Sequence, residues 1–140
     1  MILYLDSSAL VKLYKPESHS IETRRLVEAA TDCVTTALAE VEVRGALARA
    51  HRGAGLAAAE AERLKQLFVA DFARMTVVEP IADLLHQAAD LAERHYLRAY
   101  DAVHLASALR VASETGERVQ FLAFDDALNA AAVQEGLVVA

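Results

Sequence analysis

The 140-residue chain carries 14 basic and 20 acidic side chains, has a formal net charge of −6 and is 55% hydrophobic. Its length suits a single domain spanning residues 1–140, and its apolar content is sufficient for a core, which excludes a disordered chain. The acidic balance excludes nucleic-acid binding through bulk counterion exchange. Any RNA would have to be bound by a local basic patch or by metal ions.

The cysteine content and the hydropathy pattern indicate a cytoplasmic protein. Cys33 is the single cysteine, which excludes an internal disulfide and a cysteine-based zinc site. No apolar run reaches the length of a membrane span, and the first residues lack the basic stretch and cleavage site of a signal peptide. We therefore expect a protein of the reducing cytoplasm that does not bind membranes.

The first stretch of the chain predicts a buried strand that ends in an acid. Apolar residues run without alternation into Asp6, as is typical of a strand buried on both faces of a parallel sheet. Ser7 and Ser8 follow, and apolar residues at helical spacing come next. We expect Asp6 at the carboxyl end of a strand near the middle of the sheet, where α/β proteins bind ligands. Capping of the following helix explains its position equally well.

The remaining chain alternates helices with short strands. Strands are predicted at 33–35, 76–78, 119–124 and 137–139. Helices are predicted after Asp6 and at about 20–30, 38–52, 56–75, 81–96, 101–111 and from 126 to about 135. This alternation predicts an α/β sandwich with a central, mostly parallel sheet flanked by helices. The helices within 38–75 have no strand between them and are expected to project as a hairpin.

Two acids of the helix at 38–52 point in different directions. Glu40 has Arg44 four residues later, the spacing of an ordinary exposed ion pair. Glu42 has Gly45 and Ala46 on its side of the helix and no local cation, so its charge is costly unless another group pairs with it. We interpret Glu40 as solvated surface and Glu42 as the functional candidate.

Two further acids stand at the beginnings of helices. Asp101 opens a nearly all-apolar helix, where helix capping alone would explain it, and His104 is interpreted as a core side chain. Asp125 follows a buried strand, as Asp6 does, so both are expected at one sheet edge. Asp126 is interpreted as pointing to solvent.

The combination of these acids favours a divalent metal site. Carboxylates without nearby cations repel one another, and hard cations with oxygen ligands relieve that repulsion. Mg²⁺ or Mn²⁺ suits an all-carboxylate site, whereas zinc would require histidine or cysteine. Metal ions held in this way are the usual apparatus of phosphodiester cleavage, because they lower the pKa of a bound water.

Four stretches of the chain together resemble the PIN-domain proteins, specifically the VapC-type toxins of bacterial toxin–antitoxin pairs. In family order they are YLDSSALVK at 4–12, TALAEVEVR at 36–44, LRAYDAVHLA at 97–106 and AFDDAL at 123–128. The resemblance implies a PIN-like three-layer sandwich and an endoribonuclease that depends on Mg²⁺ or Mn²⁺. The catalytic, metal-binding acids that it implies are Asp6, Glu42, Asp101 and Asp125, with Ser8 in a supporting position. Asp126 replaces a residue that is often basic in the family, and Glu40 adds an acid near Glu42.

The resemblance also implies protein partners. These are a small cognate antitoxin, whose C-terminal segment occupies the active-site groove, and a second copy in a homodimer. The apolar stripe formed by Leu64, Leu67, Phe68 and Phe72 suits either contact, although core packing explains most of its residues.

We therefore predict a metal-dependent endoribonuclease that cleaves single-stranded or structured RNA, with Lys12, Arg44 and Arg98 as candidate RNA contacts. The first alternative is an aspartyl-phosphate phosphatase that uses Asp6 as its nucleophile. Such sites usually have a second aspartate two residues later, where this chain has Ser8. The second alternative is a non-catalytic regulatory or binding module that keeps an acidic metal pocket.

Overall fold

Five parallel strands form one central sheet in a computed structural model, which describes residues 1–140. The strands are β1 (Ile2–Leu5), β2 (Asp32–Thr36), β3 (Thr76–Val78), β4 (Val119–Leu122) and β5 (Val138–Val139). Their order across the sheet is β3-β2-β1-β4-β5, and every neighbouring pair is parallel. The position predicted for the first strand is confirmed, because β1 lies at the centre and all four of its residues are buried.

Seven helices cover the two faces of the sheet. They are α1 (Ser7–Tyr14), α2 (Ser20–Ala29), α3 (Leu38–Gly53), α4 (Ala58–Phe72), α5 (Ala82–His95), α6 (Ala99–Thr115) and α7 (Asp126–Gln134). Ile2 and Tyr4 pack into a core with α5, α6 and α7, whereas Leu3 and Leu5 pack into a second core with α1, α3 and α4. The alternation of side chains along β1 therefore serves both cores, and the predicted three-layer α/β sandwich is confirmed.

The hairpin of α3 and α4 packs against α1 and shares the second core with Leu3 and Leu5, contrary to the expectation that it projects. Phe68 is fully buried, and its ring lies edge-on to Tyr14 of α1 with the ring centroids 5.4 Å apart. Leu64 is also buried, whereas Leu67 is 46% exposed. Full burial of a large apolar side chain contributes about 1.5–3 kcal/mol, which favours docking of the hairpin over projection.

None of the seven helices combines the length and the apolar character that a membrane crossing requires.

Candidate active site

Adjacent parallel strands bring Asp6 and Asp125 to one edge of the sheet. β1 and β4 pair in register from Ile2 opposite Val119, so their carboxyl ends coincide. Each aspartate follows its strand and caps the next helix through one carboxylate oxygen: Asp6 Oδ1 accepts from the amide of Ala9 at 2.9 Å and Asp125 Oδ1 from that of Leu128 at 2.8 Å. The predicted common edge is confirmed, and so is the capping interpretation of Asp6; Asp125 is the N-cap of α7 as well.

Ser8 connects the ends of these two strands. Its hydroxyl donates to Asp6 Oδ1 at 2.6 Å and accepts from the backbone amide of Phe124 at 3.1 Å. The residue therefore fixes the Asp6 carboxylate relative to β4, which fits the supporting role that the family resemblance implies.

The two glutamates of α3 have different surroundings. Glu40 is an exposed partner of Arg44 at 3.3 Å, as predicted. Glu42 Oε1 accepts from Ser7 Oγ at 2.7 Å and from His104 Nε2 at 2.9 Å. The interpretation of Glu42 as unpaired was wrong, because its partners come from α1 and α6 and not from its own helix.

His104 connects Glu42 to the protein core. Its ring is buried, as predicted, and its Nδ1 lies 2.9 Å from the hydroxyl of Tyr4. Burial raises the pKa of the Tyr4 phenol well above its ordinary value, so the hydroxyl keeps its proton and donates. An ionised Glu42 can only accept, so we assign the ring proton to His104 Nε2 and the acceptor role to Nδ1.

These hydrogen bonds keep Glu42 charged. Burial by itself would raise the pKa of Glu42, but the hydrogen bonds from His104 and Ser7 lower it below its ordinary value. Sequence reasoning missed this network because Tyr4, His104 and Glu42 are far apart in the chain. A lone histidine on an apolar helix gives no signal of its polar partners.

Replacement of Tyr4 by phenylalanine should lower the free energy of unfolding by about 2 kcal/mol, because it leaves the buried Nδ1 of His104 without a donor. Tyr96→Phe is the matched control: Tyr96 is 94% exposed, so its change should stay within about 0.5 kcal/mol. Chemical denaturation of the two variants and the wild type measures the difference. Equal stability of both variants would contradict the assigned network.

Asp101 lies in the first turn of α6 and caps no backbone group. The helix begins at Ala99, and its N-cap Arg98 makes no capping bond through its side chain. The Asp101 carboxylate forms neither a hydrogen bond with the protein nor an ion pair, so the capping interpretation of this residue was wrong. Burial raises the pKa of Asp101, and the neighbouring charge of Asp125 raises it further.

The acids of this edge influence one another without a lysine or arginine bound among them. Burial raises the pKa of Asp6 against the hydrogen bond from Ser8, and the charge of Asp101 adds to the increase. Asp6, Glu42 and Asp125 each have one bonded carboxylate oxygen, and the second oxygen has no partner in the protein. The free oxygens, together with Asp101, make this edge a group of neighbouring carboxylates, called here the acidic site.

This donor set fits a hydrated divalent cation. No three histidine, cysteine, aspartate or glutamate side chains lie close enough together to hold a metal ion among themselves. A closed cage of protein ligands is therefore absent. Mg²⁺ characteristically binds through one or two carboxylates and keeps several waters, so separated free oxygens on neighbouring side chains suit it.

Residues 3–134 match the family model of the PIN domain, and the chain belongs to this family.

The chain is similar to ribonuclease VapC45 of Mycobacterium tuberculosis, with 38% identity over 110 residues that cover 79% of this chain and 76% of the relative. The resemblance to VapC-type proteins is thereby confirmed. Two solved structures share the fold. One is Mycobacterium tuberculosis VapC20, described as a sarcin-ricin loop cleaving toxin, with a TM-score of 0.70, 20% identity and coverage of 97% of this chain and 96% of that chain. The other is a toxin–antitoxin complex from Klebsiella pneumoniae, with a TM-score of 0.63, 15% identity and coverage of 88% and 86%.

Proposed function

We propose that this PIN-domain chain is a metal-dependent endoribonuclease and the toxin of a VapC-type toxin–antitoxin pair. The observation that carries the proposal is that Asp101 lies within electrostatic reach of Asp6, Glu42 and Asp125, while no lysine or arginine forms an ion pair with any of the four acids. The similarity to a ribonuclease supports RNA as the substrate. Neither the phosphatase nor the non-catalytic module receives support from the relatives.

A Mg²⁺ or Mn²⁺ ion bound here would supply positive charge to the phosphate and lower the pKa of a bound water. Asp6, Glu42 and Asp101 would hold the ion directly or through water, and Asp125 would support it. The chain prepares these groups in advance: the backbone amide of Ala9 and the hydroxyl of Ser8 fix Asp6. Ser7 and His104 fix Glu42 in the same way, so its free Oε2 is held in place before substrate binds.

Two of the three predicted RNA contacts are engaged within the protein. Lys12 pairs with Glu17 at 2.9 Å, and Arg44 pairs with Glu40 at 3.3 Å. Arg98 forms no ion pair within 4 Å, and its charge lowers the pKa of Asp101 in opposition to the effect of burial. Of the three, Arg98 is therefore the best placed to bind a phosphate of RNA at the acidic site.

A small antitoxin is the proposed protein partner. The toxin–antitoxin complex that shares the fold supports this assignment. The acidic site favours an antitoxin segment that carries arginine or lysine, because charge complementarity determines specificity. A second copy in a homodimer and a cytoplasmic location, where RNA is available, complete the proposal.

An RNA cleavage assay tests the function directly. Purified protein should cut single-stranded RNA in the presence of Mg²⁺ or Mn²⁺ and should stop when a chelator is added. The metal concentrations are chosen to saturate any metal-induced change in the protein. RNA that stays intact with both metals under these conditions would contradict the proposal.

The substitution Glu42→Gln should abolish cleavage, because glutamine has no charge to present to the metal. In contrast, Glu40→Gln should leave cleavage intact and lower the free energy of unfolding by about 0.5 kcal/mol, as expected for an exposed pair. The two variants form a matched pair on one helix. If Glu40→Gln abolishes activity and Glu42→Gln does not, the assignment on α3 is wrong.

A further inference from the structure

A cleft on the side of α3 adjoins the acidic site. It has a volume of about 350 Å³ and is lined by Leu38, Val41, Glu42, Arg49 and Tyr100. Glu42 belongs to the acidic site as well, and Tyr100 directly precedes Asp101 in the chain. This space, named here the Tyr100 cleft, therefore shares Glu42 with the acidic site.

The walls of the Tyr100 cleft expose a flat ring beside aliphatic surface. Tyr100 is 57% exposed and Val41 is 72% exposed. The Tyr100 hydroxyl has no hydrogen-bond partner, and no other aromatic ring stacks on the tyrosine. An exposed aromatic face beside a phosphodiester-cleaving site offers a nucleobase a stacking platform.

Arg49 supplies the cleft with an unneutralised charge. Its Nη1 lies 3.2 Å from the point that a Cβ of Gly45 would occupy, so the guanidinium lies back along α3 over this glycine. Arg44, Arg63 and Arg94 all pair with glutamates, whereas Arg49 has no carboxylate within 4 Å. A planar guanidinium free of protein partners matches the geometry of a phosphate group.

We propose that the Tyr100 cleft binds one nucleotide of the single-stranded RNA substrate, adjacent to the phosphate that is cut. Its base stacks on Tyr100 against Val41, and the Arg49 guanidinium binds its phosphate. This inference rests on the proposed ribonuclease function. The unpaired charge of Arg49 favours RNA over a cationic protein segment in this cleft, because it attracts a phosphate and repels a lysine or arginine side chain.

The test measures RNA binding without cleavage. Fluorescence anisotropy of a short fluorescein-labelled single-stranded RNA is recorded with full-length Asp101→Asn protein in Mg²⁺. Introducing Tyr100→Leu into the Asp101→Asn protein should weaken RNA binding about 10-fold. Tyr100→Phe, which keeps the ring, should change the RNA affinity by no more than about 2-fold. Arg49→Gln should also weaken binding and should reduce the dependence of log K on log salt by about one unit.

Matched controls lie outside the cleft. Tyr96→Leu removes a ring that is even more exposed than that of Tyr100, and Arg52→Gln removes a charge from the same helix as Arg49; both should leave RNA affinity unchanged. If Tyr100→Leu and Tyr96→Leu bind the RNA equally well, the subsite is overturned. The same conclusion follows if Tyr100→Leu changes the mass measured by light scattering but not the affinity for RNA, because the cleft would then be an interface between copies.

The wild-type cleavage assay separates this inference from the function on which it rests. Wild-type protein that cuts the RNA, combined with Tyr100 and Arg49 variants that bind normally, overturns the Tyr100 cleft alone. Wild-type protein that neither binds nor cuts single-stranded RNA in Mg²⁺ or Mn²⁺ overturns the function, and the subsite with it.

Discussion

Replacing Asp101 with asparagine should lower metal-dependent RNA cleavage by at least about 1000-fold while the protein stays folded, because loss of a metal-binding charge removes several kcal/mol of transition-state stabilisation. The Asp101 side chain makes no hydrogen bond with the protein, so the substitution breaks no contact that holds the fold. Initial cleavage rates with Mg²⁺ or Mn²⁺, together with circular dichroism of both proteins, measure the two effects.

Asp126→Asn is the control for this substitution. Asp126 is exposed in the first turn of α7, as predicted, and its replacement should leave cleavage unchanged. Asp6→Asn should lose activity as Asp101→Asn does, because the retained side-chain oxygen can still cap α1 but the charge is gone. Undiminished cleavage by folded Asp101→Asn protein would remove this residue from the site.

Metal binding should raise the melting temperature of the wild type by about 10 °C, since saturation to one hundred times the dissociation constant adds about 2.7 kcal/mol to the folded state. The unfolded chain does not bring the four acids together and therefore binds the ion weakly. Thermal melts in chelator, in excess Mg²⁺ and in excess Mn²⁺ measure this shift. A wild-type melt that moves with neither ion would argue against a metal site that exists before RNA binds.

The direction of the pH dependence follows from the same acids. Folding raises the pKa of Asp6 through burial, and the pKa of Asp101 through burial and the charge of Asp125. Between the unfolded and the folded pKa the native state binds more protons, so the stability of the metal-free protein falls as pH rises through that window. Bound metal should offset this loss at neutral pH.

Variants of Asp101 and Asp125 separate metal binding from helix capping. Asp101→Asn should raise the stability of the metal-free protein or leave it unchanged, and should shrink the shift on metal addition. Asp101→Ala should behave similarly, because Asp101 caps no amide. Asp125→Ala should cost about 1 kcal/mol without metal, because its Oδ1 accepts from the amide of Leu128 at the start of α7. Equal losses for the two alanine variants would show that Asp101 has a structural role.

The sequence determined those features that depend on neighbouring residues. Four consecutive apolar residues make β1 a strand that is stable only when both faces are covered, which puts it at the centre of the sheet. Parallel pairing then brings Asp6 and Asp125 to one edge, because Asp6 directly follows β1 and Asp125 comes shortly after the end of β4. The ion pair of Glu40 with Arg44 follows from their separation by one helical turn.

The tertiary structure alone decided the partners of Glu42. Ser7 is 35 positions away from Glu42 in the chain, and His104 is 62 positions away. Tyr4, whose hydroxyl fixes His104, is 100 positions away from that histidine. Hydrogen bonds over such separations arise from the way α1, α3 and α6 pack on β1. No local pattern in the chain encodes them, so a carboxylate without a nearby cation in the sequence acquired two donors in the fold.

Packing also decided the state of two other groups near the site. The helix of Asp101 begins two residues earlier than its apolar pattern indicates, which moves the carboxylate from the cap into the first turn and leaves it free. Arg49 gave no signal in the sequence, because its charge resembles that of any exposed helical arginine. Only the three-dimensional arrangement, with Gly45 beneath the guanidinium and no carboxylate within reach, distinguishes it from the paired arginines. Residues that are close in the chain determine features such as a buried strand or an ion pair within one helix. The availability of a side chain for a ligand depends instead on every element that packs around it.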